Sequence, residues 1–211
     1  MVEPINTGQH ARQLLSHDAR VAIGAVLVEV ERGFHESVAW DSLPITWMWI
    51  RLPHPEMIGP RAAGHAVAVE EMDVPAWAHK GGAMFQSAME EYGQALLDTS
   101  AGLGTDSRAD PAGPVVGLLA LAERWALDPG DRVEGVDFVD TPARRQRDLT
   151  GVLADGTVLV VTRTLGEPTP RRSQSHISRQ PRGRTLGRAL WLMGQGTGVF
   201  PLETPPPVNR V

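Results

Sequence analysis

Alternating and continuous apolar runs predict that strands form the centre of this chain. Residues 45–52, which read ITWMWIRL between Pro44 and Pro53, are largely apolar on both faces. A strand of this kind is central in its sheet and covered on both sides. Residues 65–72 alternate more weakly and end in Glu70 and Glu71, which predicts a second strand at a sheet edge.

The second half of the chain predicts a meander. Residues 148–153 and 157–165 flank Ala154-Asp155-Gly156. Asp-Gly is a strong hairpin signal, because both central residues of a type I′ turn adopt positive φ. Residues 132–139 alternate as well, which predicts one further strand before this hairpin.

Helical spacing of apolar residues predicts three helices. The first covers 11–33 and ends at Gly33; the alternation of Val26, Val28 and Val30 would suit a strand, but the length of the segment favours a helix. The second covers 83–97. The third covers 114–127, where Pro114 suits the first helical turn and the apolar residues are Leu118, Leu121, Ala122 and Trp125.

These elements together predict an α+β protein, in which a small, mainly antiparallel sheet packs against two or three helices. We expect a single domain over residues 8–166. Residues 167–211 are expected to form a basic, proline-broken C-terminal tail, with one short helix over 184–193 and a disordered end.

Composition limits the classes of function. The chain has 211 residues, of which 42% are hydrophobic and 21% charged, and it has no cysteine. Disulfides, thiolate metal sites and a cysteine nucleophile are therefore excluded. No signal peptide or membrane-spanning run stands out, so we expect a soluble, cytoplasmic protein. Of the 20 basic residues only Lys80 is lysine, a bias that favours a GC-rich bacterial genome as the source.

Charge is distributed unevenly along the chain. Residues 1–140 contain 21 acidic and 9 basic residues, whereas residues 141–211 contain 4 acidic and 11 basic ones. We expect the basic segment either to dock on the acidic body of the same chain or to be simply solvated, with contact to a protein or nucleic-acid partner as the alternative. The candidate binding residues in it are six arginines with no acidic residue between them: Arg171, Arg172, Arg179, Arg182, Arg184 and Arg188.

Two tryptophans are further candidates for a binding surface. Trp47 and Trp49 project from the same face of the predicted strand, and tryptophan is enriched where proteins contact partners. The chain has only four Phe and one Tyr. We therefore favour the interpretation that both tryptophans fill the core, with partner contact as the alternative.

No motif predicts catalysis, a cofactor or a metal. None of the seven histidines has a metal-ligand spacing, although His10 and His17 lie two helical turns apart. Gly194-Gln195-Gly196-Thr197-Gly198 resembles a phosphate-binding loop, but it follows a predicted helix instead of preceding one, which favours a helix end. The leading hypothesis is a non-catalytic protein-interaction or accessory module. Nucleic-acid contact through the arginine-rich tail is the alternative, and a small enzyme of unidentified class is the third hypothesis.

Overall fold

The described part of the chain is an antiparallel sheet with helices. The computed structural model describes residues 7–40, 45–53, 66–73, 91, 94, 113–126, 144–177 and 186–199. Within these ranges the helices are α1 (Thr7–Leu14), α2 (His17–Ser37) and α3 (Leu186–Gly196). The strands are β1 (Thr46–Arg51), β2 (Ala68–Glu71), β3 (Val115–Ala126), β4 (Arg144–Leu153), β5 (Thr157–Thr164) and β6 (Arg171–His176). They form one sheet in the order β2-β1-β3-β4-β5-β6, and every neighbouring pair is antiparallel, which confirms the α+β class.

The single helix predicted over residues 11–33 is wrong, because two helices meet at Leu15 and Ser16. The Ser16 side chain accepts a hydrogen bond from the Ala19 backbone N–H at 3.1 Å, which caps the start of α2. The predicted end at Gly33 is also wrong. A β-carbon at Gly33 would meet no atom within 4 Å, and α2 continues through this position to Ser37.

The helix predicted over residues 114–127 is wrong as well, because this segment is the central strand β3. β3 pairs with β1 on one side and with β4 on the other. Residues 115–121 are buried without interruption, so both faces of the strand are covered. A strand buried on both faces has a continuous apolar run, and periodicity alone does not distinguish such a run from a buried helix.

The strands predicted over residues 45–52 and 65–72 are confirmed, and so is the predicted hairpin. β1 lies between β2 and β3, and β2 is an edge strand. β4 and β5 form the hairpin, but their connection is a three-residue loop and not the two-residue type I′ turn. The Gly156 N–H donates to the Leu153 carbonyl at 2.9 Å, and Gly156 has a φ of 88°. A glycine in the left-handed region is typical of such three-residue loops.

Helices pack against the sheet. α2 lies over β4 and β5, where a β-carbon at Gly151 would be 3.5 Å from the Leu27 side chain. α3 packs against β3 and β4 and buries Leu190 and Met193 completely. The central strands β3 and β4 are therefore the part of the sheet that α3 covers.

Both β6 and α3 lie in the segment expected to be a tail. β6 pairs with β5 along its whole length, and α3 overlaps the helix predicted over 184–193. Whether residues 8–166 fold independently of this segment stays a prediction. The helix predicted over 83–97, the strand predicted over 132–139 and the expected disordered end lie outside the described residues, apart from Glu91 and Gln94. None of the described helices combines the length and apolar character needed to cross a membrane.

Candidate functional site

The outer side of β6 is an exposed edge of the sheet. β6 is the last strand in the sheet order, and no strand in the described ranges pairs with its outer side. All six of its residues, RRSQSH, are exposed and polar. A strand edge of this kind presents backbone N–H and C=O groups that can pair with another chain.

A groove runs beside this edge, between α2 and the last two strands, with a volume of about 300 Å³. Its apolar floor is formed by Leu27, Leu159 and Val161. The side of the groove formed by α2 includes Val21, which is 59% exposed, and Gly24. A β-carbon at Gly24 would meet no atom within 4 Å, so the missing side chain leaves space in the groove.

Strand register places two side chains of β6 in this groove. Arg172 pairs with Val161, and Gln174 pairs with Leu159. Residues that are directly opposite in a sheet project from the same face. Arg172 and Gln174 therefore lie on the face that carries α2, and both line the groove.

The two arginines of the groove differ in their contacts. Arg20 forms an ion pair with Asp155 at 2.9 Å and donates to the Leu15 carbonyl at 2.8 Å. Arg172 is exposed and forms no ion pair or side-chain hydrogen bond with the described part of the chain. Arg171, its neighbour on the opposite face, pairs with Glu167 at 3.1 Å. Of the two groove arginines, Arg172 is therefore the one without a carboxylate partner among the described residues.

A second charged cluster lies under the C-terminal half of α2, and it is closed to solvent. Glu31 accepts two hydrogen bonds from Arg163, at 2.6 and 2.7 Å. Arg147 donates to Glu123 at 2.7 Å, and its guanidinium lies 4.8 Å from the centre of the Trp40 ring. The side chains of Glu31 and Arg147 are 0% exposed. We assign this cluster to the core, because it offers no surface to a ligand.

The described arginine and tryptophan candidates from the sequence are not brought together into one site. Arg171 and Arg172 are exposed on β6, whereas Arg188 is half-buried in α3. Trp47 is fully buried in the core, whereas Trp49 is half-buried and packs against that core. The remaining candidates, Arg179, Arg182 and Arg184, lie outside the described residues.

Sequence reasoning did not identify the part of α2 that forms the groove. Val21 and Gly24 carry no chemical motif, and an exposed Val on a predicted helix is unremarkable by itself. Only the position of α2 over β5 shows that these residues face an open space beside β6. Among the residues that the structure describes, no group of three or more His, Asp or Glu side chains could hold a metal ion.

Comparisons with protein-family models, with curated proteins and with solved structures find no match to this chain.

Proposed function

We propose that this protein is a non-catalytic interaction module that binds another protein along β6 and in the groove beside it. We call this surface, formed by β6 and the groove residues Arg20, Val21, Gly24 and Leu27, the β6 groove. The observation that carries the proposal is the coincidence of two features: a strand edge that no described strand pairs with, and an open groove between that strand and a helix.

This combination suits peptide recognition for a physical reason. An exposed strand edge offers backbone hydrogen bonds that do not depend on sequence, and an adjacent groove selects side chains. An exposed edge is also a liability, because it can pair with chains non-specifically. The charged residues Arg171 and Arg172 limit such pairing and leave the edge open to a complementary partner.

The groove lining gives less support to catalysis. Its described lining residues are Arg20, Val21, Gly24, Leu27, Leu159, Val160, Val161, Arg172, Ser173 and Gln174. None of them is an Asp, Glu or His that could act as a general base beside Ser173. The proposal therefore assigns binding, and no chemical step, to this surface.

A peptide library tests the proposal directly. The full-length protein is immobilised, and random twelve-residue peptides displayed on phage are selected for binding. We expect a consensus sequence to emerge. The Gly24→Trp variant fills the groove, and it should bind consensus peptides at least about tenfold more weakly, a difference of about 1.4 kcal/mol.

Gly33→Trp is the matched control, because Gly33 lies on the same helix, is exposed, and also has no atom within 4 Å of an added β-carbon. Its affinity should stay within about twofold of the parent, and circular dichroism should show both variants folded, since replacing Gly raises helix propensity by some tenths of a kcal/mol. A library without a consensus, or equal binding by both variants, would contradict the proposal.

A further inference from the structure

We infer that the partner segment is an acidic, extended peptide that adds to the sheet as a further strand alongside β6. This inference rests on the proposed function and names the chemistry of its ligand. It depends on three features of the β6 groove: the direction of the outward backbone groups of β6, the charge of Arg172, which has no carboxylate partner among the described residues, and the shape of the groove.

The backbone geometry fixes which residues of β6 can bind a strand. Ile177 donates its N–H to the Gly156 carbonyl at 2.7 Å, in register with the Thr157–His176 pair. In an antiparallel pair, residues alternate between bonding to the partner strand and pointing away from it. The backbone groups of Arg172, Gln174 and His176 therefore point outwards, away from β5.

The same alternation determines where the partner's side chains lie. On an antiparallel added strand, a residue that bonds to Arg172 or Gln174 projects its side chain from the same face as they do, since directly opposite residues share a face. That face carries α2 and the groove. The outward backbone groups of β6 thus bond to alternate residues of a single extended segment, and the groove accepts the side chains of those residues. A helical partner could not form these backbone hydrogen bonds with the edge.

Charge then selects an acidic segment. A side chain directly opposite Arg172 on an added strand would have its β-carbon about 5 Å away, a distance at which opposite charges attract and like charges repel. Arg172 has no carboxylate partner in the described part of the chain. No acidic residue occurs between Pro168 and Leu192 to compete for it. A Glu or Asp opposite Arg172 is therefore favoured.

The apolar part of the groove selects the neighbouring position. Val21 is exposed beside the space left by Gly24, over the side chains of Leu159 and Val161. A volume of about 300 Å³ accepts one or two aliphatic side chains but no helix. On the face toward α2, the segment should therefore alternate an acidic with an aliphatic residue.

The probe for this inference is a fluorescent ten-residue peptide in which one face alternates Glu with Leu and the other face is Thr. Its matched counterpart contains Lys in place of Glu. Fluorescence anisotropy with the full-length protein should show binding of the Glu peptide and at least about tenfold weaker binding of the Lys peptide. Arg172→Glu should reverse this preference.

Arg32→Glu is the matched control, because it makes the same change in net charge on an exposed part of α2 outside the groove lining. It should leave the preference for the Glu peptide in place.

Backbone N-methylation of the peptide adds a test of strand pairing. Methylation of one alternate set of peptide residues should abolish binding, and methylation of the other set should not, because a strand bonds to β6 along one edge only.

Several results would overturn the inference. They are equal affinity for the Lys and Glu peptides, no binding of the Glu peptide, or no effect of methylating either set. Tighter binding of a labelled single-stranded oligonucleotide, lost in Arg172→Glu, would identify nucleic acid as the occupant. Dimerisation in sedimentation velocity that Arg172→Glu abolishes would identify a second copy. A library consensus that depends on Gly24 but lacks acidic residues would overturn this inference and leave the proposed function standing.

Discussion

The arginines of the core and those of the β6 edge have the same chemistry but opposite environments. Arg147 and Arg163 lie on β4 and β5, which have a strand on each side, and they are buried. Arg171 and Arg172 lie on the edge strand β6, and they are exposed. The two buried arginines contribute to the packing of the interior, whereas the two exposed arginines place charge at the surface. The number of arginines in a segment therefore does not indicate where charge is free to bind a partner.

The core arginines are tolerated because each has a carboxylate and further contacts. Arg163 binds both oxygens of Glu31 and donates a third hydrogen bond to the Pro168 carbonyl at 2.9 Å. A bidentate pair of this kind is among the stronger side-chain interactions. Both ions lose their hydration on folding, and this loss offsets much of the attraction between them. The pair therefore fixes the position of α2 on the sheet more than it adds net stability.

The largest effect should follow from breaking the buried pair. Glu31→Ala leaves the Arg163 guanidinium buried without its carboxylate. We expect a loss of about 3–5 kcal/mol in the free energy of unfolding, measured by urea denaturation. The double variant Glu31→Leu with Arg163→Met removes both charges and should recover most of that loss. A loss below about 1 kcal/mol for Glu31→Ala would show that the pair is hydrated in solution.

An intermediate effect is expected where β6 meets the hairpin. Gly156 and Gly166 have nearly the same φ, 88° and 86°, so alanine is strained at both positions. An added β-carbon at Gly156 would also overlap the carbonyl oxygen of Ile177, whereas one at Gly166 would meet no atom within 4 Å.

Gly156→Ala should therefore lower the free energy of unfolding by at least about 1 kcal/mol more than Gly166→Ala, within the range of about 1–3 kcal/mol typical of local strain. Thermal or urea unfolding of the two variants measures this difference. Equal losses would mean that the end of β6 does not approach the hairpin loop as closely as the structure shows.

The smallest change in the free energy of unfolding should come from a substitution on the edge strand β6. Arg172→Ala removes an exposed side chain without an ion pair in the described residues, and the free energy of unfolding should change by less than about 0.5 kcal/mol. Urea denaturation of Arg172→Ala beside Glu31→Ala gives the comparison within one experiment. A larger loss would mean that Arg172 supports the fold, and the charge assigned to a partner would then be structural.

Part of the fold could be predicted because local signals agreed with it. The strand over 45–52 is bounded by prolines and is apolar on both faces, and Asp155-Gly156 lies between the two strand segments 148–153 and 157–165. The candidate site was predicted less well. Arg171 and Arg172 were singled out by their charge, but their grouping with Arg188 fails, because Arg188 is half-buried in α3.

The buried stripe of α2 carries a sequence signal for a buried ion pair, although not for the identity of the arginine. Ala19, Ile23, Leu27 and Glu31 recur at intervals of four residues, and all four are buried. A carboxylate on an apolar stripe indicates a buried partner of opposite charge. The sequence does not show which arginine this partner is, since Arg163 lies 132 residues away along the chain.

The sequence alone determined the elements whose signal is local: the strand between two prolines, the edge strand that ends in two glutamates, and the hairpin at Asp155-Gly156. Tertiary structure decided whether residues 115–126 form a strand, because an apolar run satisfies either geometry until β1 and β4 provide hydrogen bonds on both sides. It also decided which charges are free. Burial depends on what packs against a side chain, and neither the Glu31–Arg163 pair nor the space between Gly24 and Arg172 exists before α2 lies on the sheet.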